Sequence, residues 1–273
     1  MSMPDIRVAV NGALGRMGQT VLGAVGAADG LTPVGGADAA AATGAVAVPG
    51  NPVSVPLRSR LDMLIEETSP AVVVDFTNGD GALSAVRTAV PRGVRIVSGS
   101  TGLSETALEE VRRISAEHGI GVISASNFAL GAVLLGHLAS IASRYFSHAD
   151  LVESHHEAKA DSPSGTALSL AEAMLAGRNG PFDSTASEKE TLAGARGGVT
   201  GGINVHSARM PGRLARHEIV LGTQGQTLTL IHDTIDRDCY MPGVLRAIEH
   251  VVTIDHLVIG LDRVLGLGAP GKA

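Results

Sequence analysis

Twelve consecutive residues, His155-His156-Glu157-Ala158-Lys159-Ala160-Asp161-Ser162-Pro163-Ser164-Gly165-Thr166, gather two imidazoles, an ammonium and a predicted helix start. Such a set suits gripping a small carboxylate and moving protons beside it. The lysine is informative because the chain holds only three (Lys159, Lys189, Lys272) against eighteen arginines. Arginine keeps its charge near neutral pH, whereas lysine releases a proton when its surroundings lower its pKa. Taken alone, Lys159 would read as an ordinary loop lysine; its neighbours argue otherwise.

The elements that must position this segment change character along the chain. Apolar runs at 6–10, 71–76, 94–97 and 120–124 alternate with helical patterns at 61–67, 80–90 and 105–118. That alternation predicts a parallel sheet covered on both faces. After about residue 128 come a helical run to Phe146, a strand at 151–154, the histidine–lysine segment and a helix over 167–176. Residues 177–202, rich in Gly, Ser and Thr, read as a long loop. Three alternating runs, 203–209, 218–221 and 227–231, predict an antiparallel sheet with one covered face. A helix at 241–252 and a strand at 257–261 follow, and could pack back on the first half. The Ala/Gly-rich stretch 35–50 reads as loop.

Gly12, Gly15 and Gly18 lie directly after the first strand and open a helix. Glycine lets the backbone turn sharply and approach a pyrophosphate, whose charge meets the free N–H groups and dipole of the helix. A plain tight turn is the alternative. About twenty residues on, Asp38 ends a second strand, as expected of a carboxylate reading a ribose hydroxyl. Arg16 could lie over an adenine or meet a 2′-phosphate. Ala39 offers no positive charge beside Asp38, which favours NAD over NADP.

Composition sets the outer limits. A chain of 273 residues, 44% hydrophobic and 18% charged, has the makings of a globular protein with one large or two modest domains. A net charge of −6 argues against nucleic acid or an anionic membrane as partner, so an anionic ligand needs a local positive site. The single cysteine, Cys239, cannot form an internal disulfide and fits a reducing compartment. Neither a signal peptide nor a run of about 18 apolar residues is present, so a cytoplasmic protein is expected.

The glycine loop and the HHxxKxDxPSGTA segment together resemble the dihydrodipicolinate reductase family of bacterial lysine and diaminopimelate biosynthesis. Asp75-Phe76-Thr77, Gly99-Ser100-Thr101-Gly102, Ser126-Asn127-Phe128 and Gly194-Ala195-Arg196-Gly197-Gly198 fall in that family's order, so the likeness spans nearly the whole chain. The resemblance implies an α/β protein with a Rossmann-type doubly wound parallel sheet and a smaller α+β substrate and oligomerisation domain. Residues 1–128, joined by 238–273, would bind the dinucleotide, and 129–237 would bind substrate and build a homotetramer. The expected reaction is reduction of a cyclic unsaturated dicarboxylate imine with NADH or NADPH. Gly12, Ala13, Leu14, Gly15, Arg16, Met17 and Asp38 would hold the dinucleotide, with Gly99, Ser100, Thr101, Ala125, Ser126, Asn127 and Phe128 lining the nicotinamide side.

Hydride addition leaves negative charge that a positioned acid must quench. Lys159 is assigned as proton donor and His155, four residues earlier, as acid/base. His156 would point the other way if the strand persisted, and by resemblance contacts a substrate carboxylate. Ser164, Gly165 and Thr166 precede an Ala/Leu-rich helix, so their N–H groups are expected to be open to a carboxylate. Arg237 reads as a structural ion-pair partner rather than a ligand contact. His206, His217 and His232 read as structural or interface residues, without metal-ligand spacing, and no metal is expected. The competing readings are another two-domain imine or amino-acid dehydrogenase, which leaves the PSGT loop unexplained, and a nucleotide-binding sensor, which has no need of a proton donor.

Overall fold

The computed structural model describes residues 5–185 and 187–268. The chain forms two compact units, one of Met1–Phe128 with Tyr240–Leu265, the other of Ala129–Cys239 with Gly266–Ala273. In chain order the first unit runs β1 (Ile6–Asn11), α1 (Arg16–Ala27), β2 (Leu31–Ala37), β3 (Gly44–Ala47), β4 (Ser54–Arg58), α2 (Leu61–Thr68) and β5 (Val72–Asp75). It continues through α3 (Gly79–Ala89), β6 (Arg95–Ser98), α4 (Glu105–His118) and β7 (Val122–Ser124). The second unit holds α5 (Leu130–Ala142), β8 (His148–His155), α6 (Gly165–Arg178), β9 (Gly198–Thr200), β10 (Ile203–Arg209), β11 (Ala215–Thr223) and β12 (Gln226–Thr234). The chain then returns to the first unit as α7 (Met241–Val251), β13 (Leu257–Ile259) and α8 (Leu261–Val264).

The first unit is a doubly wound sheet in the order β13-β7-β6-β5-β1-β2-β4-β3, parallel except for the β3–β4 pair. Its central strands are β-branched runs such as Val72-Val73-Val74, buried on both faces as a parallel sheet requires. Ala9, Val73 and Ile96 point to the face packed by α2, α3 and α4. Their neighbours Val8, Val72, Val74 and Val97 are buried on the other side, where α1 and α7 pack. β13 extends this sheet beside β7, so the last strand is tied to the first unit by main-chain hydrogen bonds. The stretch 35–50 is not simply loop. Its hairpin partner β4 recruits β3, and Val46 and Val48 are buried although their neighbours are Ala and Pro.

The second unit is a mixed five-stranded sheet, β12-β11-β8-β10-β9. The three alternating runs are all strands, but they are not all antiparallel. β10 runs parallel to β8, because α6 lies between them in the chain and carries it back to the same end of the sheet. β11 is antiparallel to both β8 and β12. The segment 177–202 contains one short strand, β9, paired with β10. Helices α5 and α6 cover one face, burying Leu135, Leu151, Leu170, Met174, Ile203, Ile219 and Leu221.

Candidate active site

The covered face of the second sheet is apolar at one end and ionisable at the other. Side chains alternate faces along a strand. On β8 the inward series is Ala149, Leu151, Glu153, His155; on β10 it is Ile203, Val205, Ser207, Arg209; on β11, read backwards, Leu221, Ile219, His217. Register aligns these series. Leu151 sits beside Val205 and Ile219, Glu153 beside Ser207 and His217, and His155 beside Arg209. Five polar side chains from three strands therefore meet where the aliphatic core stops.

Glu153 is the centre of that group, with no exposed side-chain surface. Arg209 grips it with two prongs, Nη2 to Oε1 at 2.9 Å and Nη1 to Oε2 at 3.1 Å. His155 Nδ1 lies against Oε2, and the Ser164 amide donates to Oε1 at 3.3 Å. Burial pushes the Glu153 pKa up, but hydrogen bonds from Arg209, Ser207 and His155 outweigh it and hold the carboxyl below its ordinary range. Burial lowers the His155 pKa, against the pull of Glu153 and with help from the Lys159 and Arg209 charges. At neutral pH the pair is thus a carboxylate and a neutral imidazole whose Nδ1–H is pinned, leaving Nε2 as its basic atom. His217 stands edge-on to His155 at 5.3 Å, and burial, then the charge of His155, brings its pKa down to about 4.

The start of α6 adjoins this cluster. Ser164 is its N-cap, 1% exposed, with its hydroxyl accepting from the Ala167 amide and bonded to His217 Nε2 at 3.3 Å. The expected row of open amides is only partly open. Ser164 N is held by Glu153, and Gly165 N donates to Asp161 Oδ2 at 3.3 Å. For the Thr166 amide no partner is found among the described residues. Asp161 also meets Lys159, Nζ to Oδ1 at 2.6 Å, and this contact keeps the Asp161 carboxyl below its usual range. One exposed carboxylate thus bridges the ammonium and a helix-start amide. Strand β8 stops at His155, so the alternation expected to orient His156 does not reach it; its carbonyl instead accepts the Lys159 amide in a turn.

In the first unit the remaining candidates follow the carboxyl ends of β1, β2, β6 and β7. Gly12 takes φ +82°, and a Cβ there would sit 2.7 Å from the Phe76 carbonyl oxygen. A Cβ on Gly18 would overlap the Gly12 carbonyl, so only glycine brings the turn this close to α1. The first turn of α1 has no side-chain cap and no acidic residue, which leaves its dipole free for an anion and fits a pyrophosphate. Asp38 folds back on the turn, accepting from Leu14 N and Ala40 N at 3.0 Å each. Buried Asp75 ties the carboxyl ends of the central strands β1, β5 and β6 together through Asn11 Nδ2, Thr77 Oγ1, Ser98 Oγ and Ser100 Oγ, at 2.6–3.1 Å. Gly99 packs against the Phe76 ring, which meets Phe128 with centroids 6.0 Å apart. Ala125 N is bonded to Ser98 O, while Thr101 and Ser126 are exposed.

Glu153, Arg209, His217 and Asp161 were not anticipated as site residues. Glu153 carried a signal, since it lies two residues before His155 and shares its face; the other strands' contributions depend on register. His217 in particular is no peripheral histidine. With Glu153 and His155 it makes a set whose donor atoms lie within 4.8 Å of one another. That set does not suit a metal dication, because Arg209 already covers both oxygens of Glu153 with positive charge. Arg237 makes no ion pair among the described residues, against expectation.

Comparison with known proteins bears on the whole chain. Residues 6–128 match a family model described as dihydrodipicolinate reductase, N-terminus, and 131–265 one described as dihydrodipicolinate reductase, C-terminus. A 4-hydroxy-tetrahydrodipicolinate reductase of Dehalococcoides mccartyi is 44% identical over 97% of this chain and 100% of its own length. One from Synechococcus elongatus is 42% identical over 95% and 98%. A dipicolinate-bound dihydrodipicolinate reductase from Paenisporosarcina sp. TG-14 superposes with a TM-score of 0.85 at 36% identity, covering 95% of this chain and 99% of that one. An amine dehydrogenase from Mycobacterium smegmatis, at 15% identity and TM-score 0.64 over 95% and 96%, shares the fold alone.

Proposed function

The chain belongs to the dihydrodipicolinate reductase family, the 4-hydroxy-tetrahydrodipicolinate reductases of lysine and diaminopimelate biosynthesis, and we propose that its two units divide that reaction into a cofactor half and a proton-and-anion half. The enzyme is an NAD(P)H-dependent oxidoreductase, and its N-terminal unit is the nucleotide-binding one. The reaction consumes a reduced nicotinamide and a proton, and yields tetrahydrodipicolinate, water and the oxidised cofactor. The bound nicotinamide supplies the hydride. The substrate's 4-hydroxyl leaves as water, and what remains is anion binding and proton movement, which side chains of this protein must perform.

In this reading Arg16 and Met17, at the start of α1, receive the pyrophosphate on their amides, and Gly12, Ala13, Leu14 and Gly15, whose amides are engaged within the turn, border it closely. Asp38 meets the adenosine ribose, and the absence of a base beside it favours NADH over NADPH. Gly99–Thr101 and Ala125–Phe128 border the nicotinamide. Lys159 donates the proton that quenches the charge left by hydride addition, and His155 exchanges protons at Nε2. The substrate's carboxylate displaces Asp161 from the Gly165 amide and adds the Thr166 amide and hydroxyl, with His156 on a second oxygen. Ser164, whose polar groups are both engaged, acts as the N-cap that aims those amides. The observation that carries this reading is the placement of Lys159 and a neutral, one-sidedly pinned His155 at the start of one helix.

Two further features complete the proposal. The enzyme acts in the cytoplasm, where its reduced cofactor is made. It also assembles as a homotetramer through the open face of the second sheet, where Val152 and Ile231 are exposed on either side of Glu218. The test of the catalytic reading follows reduced-cofactor absorbance with 4-hydroxy-tetrahydrodipicolinate as substrate. Turnover by the wild-type chain is expected, with Lys159→Ala lowering kcat by roughly 10²- to 10⁴-fold, the scale of a lost general acid. NADH affinity should hardly change. A collapse of NADH binding in that variant would place the lysine in the cofactor groove instead.

A further inference from the structure

Glu153 does more than neutralise a guanidinium. Its Oε2 takes the Nδ1–H of His155, and its Oε1 takes the amide of Ser164, the residue that caps α6. A single carboxylate therefore bonds to the proposed acid/base and to the helix start that offers amides to the substrate. Arg209 fixes the carboxylate in both directions at once, and the Ser207 hydroxyl adds a further donor. With no exposed surface on Glu153, bulk solvent does not reach these bonds.

We propose that Glu153 is a positioning residue for the reductase reaction: it holds His155 as the Nδ1–H tautomer, with Nε2 facing its chemistry, and keeps β8 in register with the first turn of α6. It acts through those two groups and does not touch the substrate. The proposal rests on His155 being the acid/base of the reaction. The parallel is the buried carboxylate behind a catalytic or metal-bound histidine, which selects tautomer and ring orientation without reacting itself.

The groups facing His155 on every side are consistent with this division. From its own strand comes Glu153, whose carboxylate favours the imidazolium. From β10 comes Arg209 and from the following loop Lys159, whose charges oppose it. From β11 comes His217, which stays neutral down to about pH 4 and is bonded to Ser164 rather than to Glu153. No other described histidine competes for the carboxylate. Removing the Glu153 charge should leave the two cations unopposed, so His155 should bind its proton less tightly.

The experiment compares Glu153→Gln with wild type in the full chain. Imidazole ¹⁵N resonances report tautomer and protonation of His155 without substrate or cofactor; the pH profile of kcat reports the consequence. In wild type the Nδ1–H tautomer is expected. In Glu153→Gln the ring should move towards Nε2–H or a mixture and titrate at lower pH. Then kcat should fall roughly 10- to 100-fold, as for other lost supporting carboxylates, and the limb of the profile that follows His155 should shift to lower pH, with KM for NADH unchanged. If Glu153→Gln does not fold, Glu153→Asp keeps the charge but withdraws it from both partners; a tenfold or greater fall in kcat is expected there too. A wild-type tautomer with an unmoved profile and kcat within about twofold, in whichever variant folds, overturns the proposal. An inactive wild-type chain, or full activity in His155→Ala, would instead overturn the underlying assignment of the reaction or of His155.

Discussion

Glu153, His155 and His217 are ordinary titratable residues whose charges, in this fold, are settled by what surrounds them. His217 shows the consequence for stability. Its folded pKa of about 4 lies below the ordinary histidine value of about 6.5. As pH falls through that window the unfolded chain takes up a proton that the folded chain refuses. The contribution is therefore complete above about pH 6.5 and lost on approach to pH 4, amounting to about 3 kcal/mol at most. His155 and Glu153, both also lowered, act in the same direction. Replacing His217 with Gln should make urea-unfolding stability fall less steeply between pH 7 and pH 4.5; an equally steep fall would assign the acid sensitivity to other groups.

The element scale explains how such residues are held. β8 is the middle strand of five, paired with β11 on one side and β10 on the other, so Leu151, Glu153 and His155 each have a neighbour on both sides. The β8–α6–β10 crossover then brings the helix start back over the same strand ends. In the first unit the corresponding device is the strand–turn–helix of β1 and α1, whose glycines permit close approach, braced by Asp38 from the end of β2. Asp38 has two possible duties there, closing the turn and reading a ribose. Measured by cofactor fluorescence, Asp38→Ala should weaken NADH by about tenfold, the order of one or two lost charge-assisted hydrogen bonds, and NADPH by less. Equal losses would mean that the acid only braces the turn.

For the whole molecule, a net charge of −6 means that an anionic cofactor and a dicarboxylate substrate must be drawn in by local cations. Lys159 and the dipoles of the two helix starts supply the positive potential, since Arg209 is matched by Glu153. The second unit covers only one face of its sheet, and on the other face Val152, Glu218 and Ile231 lie in one cross-strand row. Assembly through that face predicts a particle of four times 27.7 kDa by sedimentation. Ile231→Glu, which sets a charge beside Glu218, should reduce it to smaller species that still bind NADH. A monomeric wild type, or an Ile231→Glu tetramer, would exclude this face as the contact.

Local pattern by itself determined the strand–helix alternation of the first half, the glycine turn, and the twelve-residue segment that bears the proposed chemistry. These are properties of neighbours along the chain: side-chain period, glycine spacing, the residues before a helix. The same information marked the three later strands but not their partners, because a strand's sequence fixes which side chains share a face and not which strand lies beside it. So β10 read as antiparallel when it is parallel to β8, β3 was hidden among alanines and glycines, and His217 and Arg209 looked unrelated to His155. Only the tertiary structure decided that Glu153 stands between them, since pairing register converts residues 56 and 64 positions away from it into direct neighbours. It also decided the ionisation of the group, because burial and a two-pronged guanidinium act through space and leave no trace in spacing.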